Sequence, residues 1–370
     1  MKKYILLCIV LMIYGCKKTY NPGVVDGNVN YLVVEGFINF SGEYTDIKLS
    51  RTTNLKAIQS KPELGAILNI ESEDKQFYNL SEMGQGNYTT YFFVDPNKKY
   101  RLNIKTVKGG LYQSEFVQPK VSPQIDKINA EIKLNGVQIS VDSHDDTNNS
   151  RYYRFEYEQT WRFHTKYISQ LILKNGMILP RSANEDIYYC YGSDYSSNIL
   201  IASTAQLSND ILSHFPVTFI PSGDERISLK YSILLKQYAM SEQEYKYWET
   251  LKKNTENIGS IFDPQPSFVS GNIHCLTNSE EKVLGYVGAG NITRKRIFLD
   301  KSELPETWKK DDIYSCQLDS LPESVLPQFL YPTNYVLVYK DGFTGISYAS
   351  DIKCVDCTTR GTKTKPSFWP

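Results

Sequence analysis

The segment RYYRFEYEQTWRFH at residues 151–164 alternates aromatic with charged or polar side chains along most of its length. Side chains two positions apart lie on the same face of a β-strand, so the segment predicts a long strand with one buried face. The aromatic face carries Tyr153, Phe155, Tyr157, Trp161 and Phe163, and the opposite face carries Arg154, Glu156, Glu158 and Arg162. An aromatic stripe can stack against sugars, but it more commonly forms the core of a sandwich, and we expect core here.

The same alternation recurs at residues 227–236, and the chain contains 28 Tyr and 16 Phe among its 370 residues. Aromatic and β-branched side chains favour strands, so we predict a mainly β protein. The stretch from Pro119 to Pro123 is typical of a domain boundary. We therefore predict a small β-sandwich, immunoglobulin-like or transthyretin-like, at residues 31–120, followed by a larger β-rich domain at residues 124–370 with one prominent helix.

The immunoglobulin-like or transthyretin-like prediction depends on tyrosines at the corners of the first domain. Tyr88 lies in a Gly-x-Tyr motif, and Tyr100 follows a proline-containing turn. In such sandwiches a tyrosine near the start of a strand fixes the preceding corner. In addition, Gly109-Gly110 predicts a two-residue hairpin loop, because both glycines adopt positive φ without steric cost.

The prominent helix is predicted near residues 241–257. Ser241 and Glu244 have the spacing of a capping box, in which the serine accepts an N–H and the glutamate reaches back to the start of the helix. Trp248 lies on the apolar face, which is expected to dock on a sheet. Gly259 is the expected end of the helix.

The chain begins MKKYILLCIVLMIYGCKK, in which lysines precede an apolar run and a small residue precedes a cysteine. The apolar run is too short to span a membrane and is typical of a signal peptide. Gly15 followed by Cys16 matches a bacterial lipoprotein signal, in which cleavage leaves Cys16 as the first mature residue with a lipid on its thiol. We predict a signal peptide at residues 1–15 and a lipidated tether at residues 16–30 on the bilayer. An ordinary signal peptide with an incidental cysteine is the alternative.

The cysteine content indicates a disulfide framework. Of seven cysteines, Cys8 lies in the signal and Cys16 at the lipidation site. The remaining five cysteines are the candidates for disulfide bonds, and they are Cys190, Cys275, Cys316, Cys354 and Cys357. An exported chain meets an oxidising compartment, so we predict disulfides among these five, with at least one left unpaired and the partners not selected by spacing. Cys354 and Cys357 also have the spacing of a redox dithiol or of half a metal site, and both alternatives stay open.

Charge and motif content argue against several functions. Lysine and arginine number 41, aspartate and glutamate also number 41, and the pI is about 6.9, whereas a nucleic-acid partner requires a basic surface. The sequence has no zinc-protease motif, nucleophile elbow, phosphate-binding loop or dinucleotide fingerprint. The oxygen-rich residues 142–149 lack the glycine and glutamate of a calcium loop and predict a solvated turn. We therefore predict no catalytic residue, no cofactor and no metal ligand.

Several stretches together resemble a known family. They are VVEG at residues 33–36, KYSILLKQYAMSEQEYKYWETLKKNTENIGSIFDPQPSFVSGNIHC at residues 230–275, LGYVGAG at residues 284–290 and the ending CVDC…KPSFWP. Over nearly the whole mature chain the sequence resembles Bacteroidota lipoproteins that carry domain of unknown function 4249. The resemblance implies an outer-membrane lipoprotein, often encoded beside a TonB-dependent receptor, and it supplies no catalytic residues.

These features lead us to expect a non-catalytic binding accessory of a TonB-dependent nutrient uptake system. The protein would be anchored in the outer membrane, with the cell surface favoured over the periplasmic face. A TonB-dependent receptor is the expected partner, and the second domain would carry the ligand surface. The alternative is a structural or adhesion lipoprotein of the cell envelope with no small-molecule ligand.

The lipidation prediction has a direct test in cells fed an alkyne fatty acid. We expect the wild-type protein to carry the label and the Cys16→Ser variant to lose it completely, because the Cys16 thiol is the acylated atom. Cys8→Ser is the matched control and should keep the label, since Cys8 leaves with the signal peptide. An unlabelled wild-type protein, or a labelled Cys16→Ser variant, would contradict the prediction.

Overall fold

The structure, a computed structural model, describes residues 30–53, 60–256, 269–311, 313–322, 326 and 334–370. Strands β1–β8 are Leu32–Asn39, Thr45–Arg51, Lys61–Pro62, Ile67–Ser72, Phe77–Gly84, Asn87–Thr90, Tyr100–Lys105 and Leu111–Ser114. Strands β9–β17 are Ile125–Lys133, Gly136–Asp145, Tyr152–His164, Leu171–Lys174, Met177–Pro180, Tyr189–Tyr195, Leu200–Ser203, Asp210–Pro221 and Lys230–Ala239. Strands β18–β24 are Ile273–Cys275, Val283–Leu284, Gly288–Gly290, Ile292–Asp300, Asp319–Leu321, Tyr335–Lys340 and Ser347–Asp351.

The α-helices of this part of the chain are α1 (Glu242–Glu256) and α2 (Ile352–Val355). Short 3-10 helices lie at Ala183–Glu185, Glu225–Ile227, Lys301–Glu303 and Cys357–Thr359. The prediction of a mainly β protein with one prominent helix is therefore confirmed. In the described residues, no helix has the length and apolar character needed to cross a membrane.

The first sandwich has the strand order β18-β8-β7-β4-β5-β6-β2-β1, with β19 and β20 on β1 and β3 on β2. β5 pairs with β4 on one side and with β6 on the other, so this strand connects the two layers. Every second side chain of the main strands points between the layers and is almost fully buried. These core side chains include Leu32, Val34, Ile47, Leu49, Leu68, Ile70, Leu102 and Ile104.

Both corner tyrosines make the bonds that the sequence predicts. The Tyr88 hydroxyl donates to the Glu63 carbonyl at 2.9 Å and accepts the Ala66 N–H at 3.0 Å. The Tyr100 hydroxyl accepts the Asp95 N–H at 2.8 Å. Both tyrosines are 1% exposed, so each hydroxyl satisfies backbone groups that water does not reach.

The hairpin loop between β7 and β8 differs from the prediction. Thr106 N–H donates to the Gly110 carbonyl at 2.9 Å, so these two residues pair and Gly110 belongs to the hairpin stem. Of the two glycines, Gly109 alone has a positive φ, at 86°. The loop therefore contains three residues rather than two, with glycine at the left-handed position that such loops require.

The chain returns to the first sandwich through β18, β19 and β20. β18 pairs antiparallel with β8, and β19 and β20 pair parallel with β1. The sequence-based division places these strands in the second domain, at residues 124–370. Gly271 allows the close approach, because a Cβ there would lie 1.6 Å from the Gly285 carbonyl oxygen. The first sandwich is thus built from two distant parts of the chain.

The second sandwich packs a three-stranded sheet, β16-β10-β9, against a five-stranded sheet, β14-β11-β17-β21 with β15 on β11. The predicted aromatic stripe lies on β11, where Tyr153, Phe155 and Phe163 are at most 1% exposed and Tyr157 and Trp161 are partly buried. The interpretation of the stripe as core is confirmed. The Tyr153 hydroxyl donates to buried Asp210 at 2.7 Å, which satisfies both groups.

The C-terminal region carries a small sheet, β22-β24-β23, and the two disulfides. Cys190 on β14 bonds to Cys357, and Cys316 bonds to Cys354. Disulfide formation is confirmed, and the two cysteines of the Cys-x-x-Cys motif bond to different partners rather than to each other. Cys275 is the unpaired cysteine of the five and is buried in the first sandwich.

Helix α1 occupies the predicted segment. The Ser241 hydroxyl accepts the Glu244 N–H at 3.1 Å, as expected for an N-cap. The Glu244 side chain does not complete the capping box, because it is buried against the first sandwich. Trp248 docks over β11, as predicted. The predicted helix end at Gly259 lies outside the described residues.

Mass mapping without reductant tests the cysteine pairing. We expect peptides joined through Cys190–Cys357 and Cys316–Cys354, and alkylation of Cys275 only after unfolding. Removing the first bond, which joins residues 167 positions apart, in a Cys190→Ala/Cys357→Ala variant should lower the free energy of unfolding by roughly 2–5 kcal/mol. Cys275→Ala is the control without a crosslink and should cost less. Alkylation of all five thiols in the folded exported protein would contradict the pairing.

Candidate functional site

A cleft of about 820 Å³ lies between the two sandwiches. Strands β1 and β2 form one wall, β11, β17 and β21 form the second, and α1 forms the third. We call it the interdomain cleft. Its lining includes Glu35, Phe37, Glu43, Tyr44, Lys48, Arg154, Glu156, Lys236, Tyr238, Tyr247, Trp248, Leu251 and Arg294.

The orientation of the walls depends on two passages of chain that run side by side between the sandwiches. The Asn291 side chain accepts the Ser122 N–H at 2.5 Å and donates to the Ser122 carbonyl at 3.1 Å. Next to them, Lys120 pairs with Gly290 as an isolated parallel bridge. The Ser122 hydroxyl donates to the Gln237 carbonyl at 3.1 Å. We call this set of bonds the Ser122–Asn291 clasp.

Two contacts between the sandwiches connect the walls of the interdomain cleft. The ring of Phe37 on β1 meets the ring of Tyr238 on β17 edge to face, with centroids 5.2 Å apart. The carboxylate of Glu43 accepts Arg294 Nη2 at 2.6 Å. The cleft therefore has an aromatic contact and an ion pair that bridge the two sandwiches.

Arg154 occupies the wall formed by β11 and α1. Its guanidinium lies over the Tyr238 ring at 4.3 Å and over the Trp248 ring at 4.7 Å, and it pairs with the carboxylate of Glu156. Stacking on aromatic faces stabilises a cation that is largely removed from water. The Nε atom of Arg154 is buried and finds no acceptor among the described residues. The site therefore holds a rigid cation with one unused donor.

Glu156 is held in its charged form. Burial alone would raise its pKa, but the charge of Arg154 and the hydrogen bond from Tyr238, at 2.8 Å, lower the pKa below its ordinary value. Burial raises the pKa of Tyr238, so this phenol stays a neutral donor. Lys236 pairs with Glu158 on the same sheet face.

The interdomain cleft continues into a groove of about 360 Å³ past Trp248. The groove shares Glu35, Arg154, Glu156 and Lys236 with the cleft and extends to residues 195–200. Its far end contains the loop before β15, where the Ile199 N–H donates to the Glu256 carboxylate at 2.5 Å. The combined surface therefore extends beyond the pocket between the sandwiches.

The cleft offers aromatic faces together with paired charges. Aromatic side chains bind the apolar faces of sugars, rings or peptide side chains, and carboxylates and guanidinium groups bind hydroxyls and amides. The described histidines and cysteines lie outside its lining. The arrangement supplies recognition groups on a scaffold of strands and a helix.

The structure places the sequence-predicted residues as follows. Gly15 and Cys16 lie outside the described residues. The oxygen-rich residues 142–149 form the end of β10 and a turn, in which the Asp145 carboxylate accepts the Thr147 N–H at 2.9 Å, so the predicted turn is confirmed. Across the described part of the chain, no group of three or more His, Cys, Asp or Glu side chains is placed to hold a metal.

Sequence reasoning missed the lining of the cleft. Arg154 and Glu156 are on the strand face opposite the core, as the alternation predicts, but α1 and the first sandwich cover part of that face. The sequence-based expectation places a ligand surface on the second domain alone, whereas the lining of this cleft also includes residues of β1 and β2. The one sequence signal for this lining was that charged side chains of both signs lie on one face of β11. A strand face that is simply exposed to solvent has the same pattern, so the signal did not identify a site.

Comparisons with known proteins give one family and no activity. A family model described as "Domain of unknown function (DUF4249)" matches residues 17–296. A search of curated proteins found no match. Among solved structures, chitinase ChiA74 from Bacillus thuringiensis aligns at 9% identity with a TM-score of 0.14, over 46% of this chain and 28% of that chain. The chain thus spans less than a third of that chitinase, and this likeness carries no argument.

Glu244 connects α1 to the first sandwich beside the cleft. Its carboxylate lies against Gly288 on β20. A Cβ at that glycine would be only 2.6 Å from Glu244 Oε2. Burial raises the pKa of Glu244 from its ordinary value of 4.5 to about 7, against the opposing charge of Arg154. The folded protein therefore binds this proton more tightly than the unfolded chain does.

This pKa predicts a loss of stability as the pH rises. A carboxyl with a raised folded pKa stabilises the fold fully below its unfolded pKa, and the contribution disappears as the pH passes from about 4.5 to about 7. Between pH 5 and pH 8 the free energy of unfolding should fall by roughly 2–3 kcal/mol from this group alone. Glu244→Gln should lack this part of the slope in urea titrations.

Glu242→Gln is the matched control for the pH experiment. Glu242 lies in the same helical turn, is exposed, and pairs with Lys246. Its variant should keep the wild-type pH slope. Equal slopes in the Glu244→Gln and Glu242→Gln variants would contradict the assignment of the titrating group.

Proposed function

Because this chain belongs to the DUF4249 family, we propose that it is a non-catalytic binding protein that serves a TonB-dependent nutrient uptake system. In this proposal Cys16 carries the lipid that anchors the chain in the outer membrane, with the folded body facing the cell surface. The bound nutrient occupies the interdomain cleft. The observation that carries the proposal is the size and lining of that cleft.

The position of the cleft favours ligand binding. Ligand sites occur preferentially where two domains meet, and volumes of several hundred Å³ suit small molecules or short oligomers. Here the cleft measures about 820 Å³ and adjoins a groove of about 360 Å³. Tyr44 lies at this surface and is 62% exposed, with its ring close to that of Tyr91. An exposed aromatic side chain at a cleft is available for stacking against an incoming ring.

The charged groups of the cleft favour recognition over catalysis. Glu43 pairs with Arg294, Glu156 with Arg154, and the pKa of Glu156 is lowered. A general acid or base works best with a pKa near the operating pH, whereas Glu156 is stably ionised. Paired charges still present oxygen and nitrogen atoms to a polar ligand.

The envelope role rests on the N-terminal signal and on the family resemblance. A lipidated Cys16 followed by residues 17–30 would place the body a short distance from the bilayer. A nutrient captured in the cleft could then pass to a receptor in the same membrane, which supplies the energy for transport. A structural or adhesion lipoprotein is the alternative that the experiment must separate.

Crosslinking in intact envelopes, followed by detergent extraction and purification of the tagged chain, tests the proposed role. We expect a TonB-dependent β-barrel receptor to be recovered with the wild-type chain, together with a small molecule that is released on denaturation. Tyr44→Ala should keep the receptor and reduce the retained small molecule at least several-fold, because it removes the exposed ring of the cleft.

Phe343→Ala is the control for that experiment, since Phe343 is a fully exposed aromatic residue outside the cleft lining. It should retain both the receptor and the small molecule. Repeated recovery of envelope proteins without a receptor, and of no small molecule, would overturn the uptake role in favour of a structural one.

A further inference from the structure

The first sandwich exposes a row of apolar side chains at one of its ends. Ile67 on β4 lies directly opposite Lys105 on β7, and Lys105 lies directly opposite Leu111 on β8. Leu276 comes one residue after β18, and its N–H donates to the Leu111 carbonyl at 2.7 Å, which continues the row. Because directly opposite residues of paired strands lie on the same face of a sheet, these side chains share one surface.

Two more exposed apolar residues adjoin this row. Val107 lies in the hairpin loop after β7, and a Cβ at Gly65 would be only 2.9 Å from Val107 Cγ2. Leu64 precedes that glycine. We call the five residues the apolar end, and each of them is between 39% and 72% exposed: Leu64, Ile67, Val107, Leu111 and Leu276. Single exposed apolar residues are common, whereas a group of them on one surface indicates an interaction site.

The chain enters the first sandwich beside the apolar end. Arg51, at the end of β2, pairs with Leu32 at the start of β1. Its guanidinium donates to the Asn30 carbonyl at 3.1 Å and to the Tyr112 hydroxyl at 3.3 Å. Tyr112 is the neighbour of Leu111 on β8. One buried arginine therefore connects the start of β1 to the strand that carries part of the apolar end.

The proposed lipid anchor precedes this entry point by a short stretch of chain. Asn30 follows Cys16 by 14 positions, and 14 residues span at most about 50 Å when fully extended. A short connection to the bilayer gives nearby surfaces of the body a high effective concentration of lipid, so a weak contact is populated. The apolar end is the exposed apolar surface closest to the point where this connection joins the body.

The charged groups of this surface are compatible with lipid headgroups. Lys105 and Lys108 are exposed, and lysines can place their methylene groups against apolar surface while the ammonium group stays among headgroups. The carboxylates of Glu63 and Glu281 are bound by Arg51, at 2.7 Å and 3.1 Å. These two carboxylates are therefore compensated within the protein.

Two further carboxylates limit the electrostatic part of the contact. Glu82 accepts the Gly65 N–H at 2.9 Å, and Glu280 is exposed in the turn that follows β18. They oppose the charges of Lys105 and Lys108. We therefore expect burial of the apolar side chains, rather than attraction to anionic lipid, to supply most of the stabilisation.

We propose that the apolar end lies on the surface of the bilayer that holds Cys16, with its five apolar side chains among the lipid headgroups. This inference rests on the lipid anchor of the proposed function and adds a second contact with the membrane. It also orients the body. Tyr44 follows β1 at the opposite end of the first sandwich, so this exposed ring of the interdomain cleft is held away from the lipid.

An artificial tether tests this contact separately from lipidation. Residues 17–370, in a Cys275→Ala background and with a histidine tag in place of residues 1–16, are held on phosphatidylcholine vesicles that contain a nickel-chelating lipid. A polarity-sensitive NBD fluorophore is attached to a Val107→Cys variant. We expect its emission to shift to the blue and to brighten at least twofold on the vesicles, because the fluorophore leaves water.

Phe93→Cys, labelled in the same way, is the matched control. Phe93 is 86% exposed and comes three residues after Thr90, which pairs with Thr45 at the end of β2 far from Arg51. The same fluorophore at this position should keep its emission in solution when the protein is tethered to vesicles.

Charged substitutions show whether the apolar side chains make the contact. Ile67→Asp/Leu276→Asp, combined with labelled Val107→Cys, should remove at least half of the change in emission. Leu134→Asp/Phe343→Asp places the same charges at two exposed residues outside the apolar end and should keep the full change.

An unchanged emission at position 107, an equal change at position 93, or a full change in the Ile67→Asp/Leu276→Asp variant overturns the proposed contact. Fatty-acid labelling of Cys16 in cells tests the anchor itself. A protein that is unlabelled in cells but responds at position 107 loses the proposed anchor and keeps the membrane-binding surface. A labelled protein without the response keeps the anchor and loses the surface.

Discussion

The Ser122–Asn291 clasp determines how the two halves of the molecule face each other. One amide side chain bonds both backbone groups of Ser122, and therefore acts as the partner that a neighbouring strand would supply. The clasp joins two connecting segments. One contains Ser122 and leads from the first sandwich to β9, and the other contains Asn291 and leads from β20 to β21. The walls of the interdomain cleft belong to strands that meet at this point, so the shape of the candidate site depends on it.

Local patterns were sufficient to predict the two longest elements, β11 and α1. The aromatic stripe of β11 and the N-cap of α1 were predictable because each is contained within a few consecutive residues and follows from strand or helix geometry. The tyrosines Tyr88 and Tyr100 were predictable for the same reason. In each case the interactions that stabilise the element are encoded close to it in the chain.

Features that depend on distant parts of the chain were not predictable. The strands β18, β19 and β20 contain only two or three residues each, which is too short for an alternating pattern to emerge. Cys190 and Cys357 are 167 positions apart, and no local signal selects that partner. The lining of the cleft was not predictable for the same reason, because Arg154 becomes part of a site only when α1 and β1 are placed beside it.

The return of β18, β19 and β20 also sets an order of events during folding. A growing chain produces β1 and β8 long before residues 273–290, so the first sandwich keeps two unpaired edges until most of the protein has been synthesised. Non-local pairing of this kind slows folding and exposes strand edges to other chains. A fragment that ends near residue 120 would therefore lack its closing strands.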